Sequence, residues 1–155
     1  MSKENKTRNH IGNKGVGQNR DEVFKQAIKQ YKKAKENGFY LEAIAICESL
    51  ITDRMESRIG ELTKREVKFG MLRNLKDILM DYIETDSDLI KIYDEILNKW
   101  APKRNIAIHQ AVKISKKEEK KWDKYIKDSE QTAKEGMDYF RQLDKSINKH
   151  RIKAK

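Results

Sequence analysis

Residues that break or cross-link a chain are scarce here: one proline, seven glycines and one cysteine among 155 positions. So little proline and glycine leaves few tight turns, which argues against a hairpin-rich β architecture and for helices. The single cysteine, Cys47, has no partner for an intramolecular disulfide; it points to a reducing compartment and to a small side chain in the core. No apolar run approaches the roughly 18 residues needed to cross a bilayer. Met1-Ser2-Lys3-Glu4 opens a polar segment, not the apolar stretch of a secretory signal, so a cytoplasmic protein with no membrane partner is expected. No His-Glu-x-x-His, no Cys/His cluster and no dense group of carboxylates stands at metal-ligand spacing, so neither a metal nor a cofactor is expected. No segment alternates apolar and polar residues well enough to suggest a strand.

Charge is abundant instead. Charged residues make up 39% of the chain and apolar residues 37%, enough of the latter to pack one helical core. The formal net charge of +10 is uneven: residues 1–20 carry five bases and one acid (+4), residues 21–115 seventeen and sixteen (+1), and residues 116–155 thirteen and eight (+5). A nearly neutral middle flanked by basic ends suits a polyanionic partner, of which RNA fits best, although lysine-rich surfaces also serve solubility alone. Residues 1–20 hold few sizeable apolar side chains and are expected to form a flexible basic arm. Gly12-Asn-Lys-Gly-Val-Gly17 is a poor phosphate cradle, because no strand precedes it and no Gly-Lys-Ser/Thr follows.

From residue 21 to 150 the pattern is helical, and a basic tail closes the chain at residues 151–155. Phe24, Ala27, Ile28, Tyr31 and Ala34 share a stripe that Asn37-Gly38 should end. A second helix is expected from Tyr40 to Glu61, with Leu41, Ile44, Ile51, Met55 and Ile59 inward and Glu48 on the same stripe, either at a rim or paired with a cation. Thr63 and Glu66 form a capping-box pattern for a third helix carrying Val67, Leu72, Leu75, Ile78, Leu79 and Tyr82. A fourth helix, capped at Asp86-Ser87-Asp88, should end at Pro102. A short helix restarts near Asn105, and Ser115 with Glu118 opens a long last helix whose seam runs Trp122, Ile126, Ser129, Ala133, Gly136, Phe140, Leu143, Ile147. The expectation is all-α, an antiparallel bundle of five to six helices.

One constellation carries chemistry: Lys103-Arg104-Asn105-Ile106-Ala107-Ile108-His109. Residues five apart on an α-helix stand about 140° apart, so Arg104 and His109 share a face only if Arg104 precedes the helix. Asn105 as N-cap would allow that, and would place free backbone N–H groups, a positive helix end and a guanidinium around one phosphate. His109 would then stand one turn inside. The bland alternative is a hydrogen-bonded histidine and a surface arginine. His10 and His150 have no such neighbours and are read as bystanders.

Arg104-Asn105-x-x-x-His109 resembles the signature of the HEPN superfamily, α-helical bundles whose ribonuclease members carry Arg, a polar residue that is often Asn, and His at this spacing. The strict match covers six residues. The resemblance implies a homodimer with a composite cleft that cuts RNA without metal. His109 would be the acid or base, Arg104 would hold phosphoryl charge and Asn105 would orient a phosphate oxygen or the imidazole. Apart from the resemblance, the place of Glu48 among Ile44, Ile51 and Met55 makes it a candidate supporting carboxylate near the cleft, and Lys103 and Lys113 are candidate RNA contacts. Many such ribonucleases are toxins or antiphage defence effectors silenced by a partner protein or antitoxin. A bundle of the same kind that only dimerises or binds nucleic acid remains open. So does a helical interaction module, because Gly38-Phe39-Tyr40-Leu41-Glu42-Ala43-Ile44 is similar to the core of a tetratricopeptide repeat; no second copy follows 34 residues later, which suggests one helical hairpin.

Overall fold

In the computed structural model, which describes residues 16–65, 67, 72–111 and 121–153, Asn37-Gly38 ends the first helix as its chemistry requires. Gly38 adopts a left-handed φ of 76°. Its N–H bonds the Lys35 carbonyl and that of Phe39 the Ala34 carbonyl, at 3.2 and 2.8 Å, the paired closure of a Schellman cap. That cap joins α1 (Val16–Glu36) to α2 (Tyr40–Thr63) as one hairpin. There follow α3 (Leu72–Leu79), a 3₁₀ turn at Met80–Tyr82, α4 (Ile83–Glu95), a π-helical turn at Ile96–Trp100, α5 (Ala101–His109) and α6 (Trp122–Lys153). Among the described residues there is no strand. The chain is an all-α bundle.

The rod from α4 through the π turn to α5 is continuous, so the bundle has four long helices where five to six were expected. The up-down-up-down order follows from the contacts. Tyr31 of α1 donates its hydroxyl to the Ala133 carbonyl at 3.1 Å while the Phe24 ring packs at a tilt against Phe140, so α1 and α6 run in opposite directions. Along the α4–α5 rod, Asp88 meets His150 at one end and Ala107 meets Tyr125 at the other, again antiparallel to α6. α2 and α6 are parallel and share the largest interface, Cys47 beside Ala133 and Ser57 beside Arg151. Between them lie Ile44, Ile51, Met55, Leu89, Ile96, Trp100, Leu143 and Ile147, all fully buried. Burial of such side chains from water is the main stabilising term, about 1.5–3 kcal/mol each.

Gly136 sets the spacing at the centre. A Cβ on it would lie 2.8 Å from the Trp100 ring and 3.0 Å from the Cys47 Cβ. The hydrogen atom therefore lets a whole indole lie against α6, with its Nε1 donating to the Thr132 carbonyl at 2.9 Å. The α6 seam is Tyr125, Ser129, Ala133, Gly136, Phe140, Leu143 and Ile147. Trp122 was expected to open it but is exposed, and Tyr125 takes that place.

Several boundaries differ from expectation. α1 begins at Val16, inside the expected arm, and residues 1–15 lie outside the described residues, as do Glu66 and the Ser115-Glu118 pattern. Thr63 does not open a helix: its hydroxyl bonds back to the Ile59 carbonyl at 2.8 Å, and Lys64 closes α2 in a left-handed C-cap. Val67 is buried without being helical, while Ile78 is exposed and Tyr82 sits in the 3₁₀ turn. The expected cap at Asp86 is a break within α4, with φ −116° and ψ 29°, and its side chain turns inward to Arg58 instead. Leu41, expected inward, is exposed. Pro102 does not end the helix. The wider π turn before it takes up the clash and the missing N–H, so the proline falls in the first turn of α5, where it is tolerated. α6 continues to Lys153, into the expected tail.

Candidate functional site

α5 carries the motif, and continuity through the π turn decides its geometry. Arg104 and Asn105 are both inside the helix. Asn105 is therefore not an N-cap, and no free helix N-terminus opens beside it, because the chain enters α5 with the Ala101 N–H already bonded to the Ile96 carbonyl. Asn105 and His109, four residues apart, share an exposed face, and His109 ends the helix. Arg104 stands about 140° around the axis from His109 and points toward α2. There its Nη2 meets Glu48 Oε1 at 3.2 Å. Its Nε is buried and has no hydrogen-bond partner among the described residues.

The structure thus joins Arg104 to Glu48 and Asn105 to His109, and does not bring the two pairs onto one face. Glu48 lies at the rim of the bundle with its side chain 31% exposed, and it is also paired, so the two readings of it are both partly met. Lys103 is already engaged: its ammonium sits 3.0 and 2.9 Å from the two Glu135 oxygens. Lys113 lies outside the described residues. Among the described residues no group of three or more His, Cys, Asp or Glu is placed to hold a metal ion, and no helix is long and apolar enough to cross a membrane.

Cys47 is fully buried, and burial pushes its thiol up to about 12. Burial likewise pushes the Tyr31 hydroxyl up to about 12. Neither is poised as a nucleophile near neutrality.

Two features escaped the sequence reading. At the far end of the bundle, Arg58 grips the buried Asp86 through Nε and Nη2 at 2.7 and 2.9 Å, and its Nη1 reaches Glu61. Glu61 in turn holds Arg151 of α6. His150, taken as a bystander, meets Asp88 at 2.7 Å, and Ser146 donates to the same carboxylate at 2.9 Å. Burial would push the Asp88 carboxyl up, but the bonds from His150 and Ser146 together outweigh it and hold the group below its ordinary value. Each partner is ordinary in sequence; only the fold makes them neighbours. The second feature is a ladder of cations on the outer face of α6: Arg141, Lys145, Lys149 and Lys153, all exposed, at intervals of four. A four-residue step on a helix is about 6 Å. No carboxylate among the described residues pairs with any of them, whereas Lys124 and Lys134 on the same helix are paired with Asp128 and Glu130. The interval was legible in the sequence; the lack of neutralisation was not.

No family model, no curated protein and no solved structure matches the chain.

Proposed function

We propose that the chain is a metal-independent endoribonuclease of the HEPN type whose site is shared between two copies of the chain. The observation that carries the reading is the exposed Asn105–His109 face of α5, one residue from an arginine held by a single ion pair to Glu48. An imidazole in water at the end of a helix is placed to exchange protons. An arginine that Glu48 holds through one nitrogen keeps other donors for a phosphate oxygen while the carboxylate fixes its aim.

His109 takes the proton of a ribose 2′-hydroxyl; the 2′-oxygen attacks phosphorus, and the bond from phosphorus to the 5′-oxygen breaks. A protonated His109 from the second copy supplies the leaving oxygen with its proton. The products are a 2′,3′-cyclic phosphate and a 5′-hydroxyl. Arg104 bears the charge that gathers on the phosphoryl oxygens, and Asn105 orients a phosphate oxygen or the imidazole. Because Arg104 and His109 of one chain face different ways, a dimer is the simplest arrangement that sets both types of group around one phosphate. A partner protein covering the α5 face would silence the enzyme, as a toxin or defence effector requires.

The unpaired cations of α6 favour a second reading, a bundle that binds RNA without cutting it. Incubation of mixed RNAs with purified protein in EDTA, beside Arg104→Ala and His109→Ala, separates the two. Cleavage by the wild type and not by the variants supports the enzyme, and binding without cleavage supports the alternative.

A further inference from the structure

The antiparallel packing of α5 on the first half of α6 leaves a groove of about 270 Å³. On one side Ile106 and Ala107 of α5 are apolar, beside Lys103, whose ammonium Glu135 already holds; the other side is polar, Asp128, Ser129, Gln131 and Thr132 of α6 with Tyr125. Ile106 is half exposed, so an apolar surface stands open to water at the groove's edge. At its floor Ser129 is 2% exposed, and its hydroxyl has no hydrogen-bond partner among the described residues. A buried hydroxyl without a partner is unfavourable by about 1–3 kcal/mol, and such groups tend to persist where something else supplies the bond.

We infer that this groove takes an unpaired nucleobase bearing an exocyclic amino group. The inference rests on the ribonuclease reading for its choice of ligand and deepens it by naming the base that the site selects. A base has apolar faces and a polar edge, which is the division between the two walls. The groove is smaller than the roughly 300–1,000 Å³ of sites for drug-sized ligands, so it admits one ring system and not a run of chain. The polar wall is rich in acceptors. Gln131 donates its amide nitrogen to Glu135 at 3.3 Å, which turns its carbonyl oxygen to other partners, and the Ser129 oxygen and the Asp128 carboxylate, one oxygen of which Lys124 holds, add to it. Acceptors select the amino groups of cytosine and adenine over the carbonyl of uracil at the same position. Ile106 lies three residues, about one turn, before His109, so the groove opens within about a turn of the imidazole.

The test is amide chemical-shift mapping of the whole protein against millimolar cytidine, uridine and ribose 5-phosphate, with wild type, Ser129→Ala and Ile106→Ala. The expected result is that cytidine shifts the amides around Ser129, Gln131 and Ile106, more strongly than uridine, while ribose 5-phosphate leaves them unmoved. Ser129→Ala removes a hydroxyl that bonds nothing among the described residues, so its melting temperature should hold or rise while cytidine binds about five- to tenfold more weakly. Ile106→Ala, on the surface, should also weaken binding. Absence of shifts at the groove, equal shifts with uridine or ribose 5-phosphate, or unchanged affinity in Ser129→Ala would each overturn the inference. RNA cleavage is scored separately: a protein that binds cytidine here and cuts nothing loses the ribonuclease reading and keeps the groove. One that cuts RNA and ignores cytidine does the reverse.

Discussion

Arg104 is held by Glu48 and by little else, which makes that pair the most informative point in the molecule at the scale of single residues. Glu48→Gln keeps the shape and removes the charge. Stability should change by less than about 1 kcal/mol, as for other partly exposed pairs. Cleavage should fall by up to about a hundredfold, because a guanidinium released from its anchor loses its aim. An unchanged rate would make Glu48 a rim residue with no part in the site. Gly136 tests the packing. Gly136→Ala gains about 1 kcal/mol of helix propensity but drives a methyl into Trp100, an overpacking worth about 1–3 kcal/mol. The net expectation is a lower urea midpoint, and a higher one would mean that the indole can shift. Asp88 supplies a pH dependence. Its carboxyl is held below its ordinary value, so it contributes stability above the unfolded value of about 3.9 that is lost as pH falls through the folded value. Asp88→Asn should therefore flatten the loss of stability below about pH 4, read from thermal melts across that range. Little of this was legible in the sequence. Glu48 stood out because it interrupts an apolar stripe, whereas Asp86, Asp88 and His150 carry no local mark, and their pairing exists only once α2, α4 and α6 have packed.

At the scale of elements, the legible parts are those whose signals are local. Asn37-Gly38 ends α1 because a left-handed glycine cap is a property of two residues, and the α6 seam from Ser129 to Ile147 follows from spacing alone. The π turn was not legible. One extra residue per turn leaves no compositional trace, and Pro102 after it looked like a stop. That turn also sets the site, since it fixes the rotation of α5 relative to α4. Inserting one alanine after Trp100, beyond the π turn, would rotate α5 by about 100°, carrying Arg104 off Glu48. The expected outcome is a helical protein by circular dichroism with cleavage lost. Retained cleavage would show that the orientation of α5 does not matter.

For the whole molecule, the motif in one chain supplies a single imidazole, and its arginine faces another way. Light scattering at micromolar concentration should report about twice the 18.3 kDa of one chain, and a strict monomer that still cuts RNA would refute the shared site. The α6 ladder should make RNA affinity fall steeply with salt, and Lys145→Glu with Lys149→Glu should weaken binding and flatten that slope. Attack by a 2′-hydroxyl leaves its mark on the ends of the products. An RNA oligonucleotide is incubated with the protein in EDTA, alongside the same oligonucleotide with 2′-deoxyribose at the scissile position and alongside His109→Ala. The expected result is a 2′,3′-cyclic phosphate on the 5′ fragment, a rate lower by about 10² to 10⁴ in His109→Ala and an intact deoxy analogue. Cleavage of that analogue, or equal rates from wild type and His109→Ala, would contradict it.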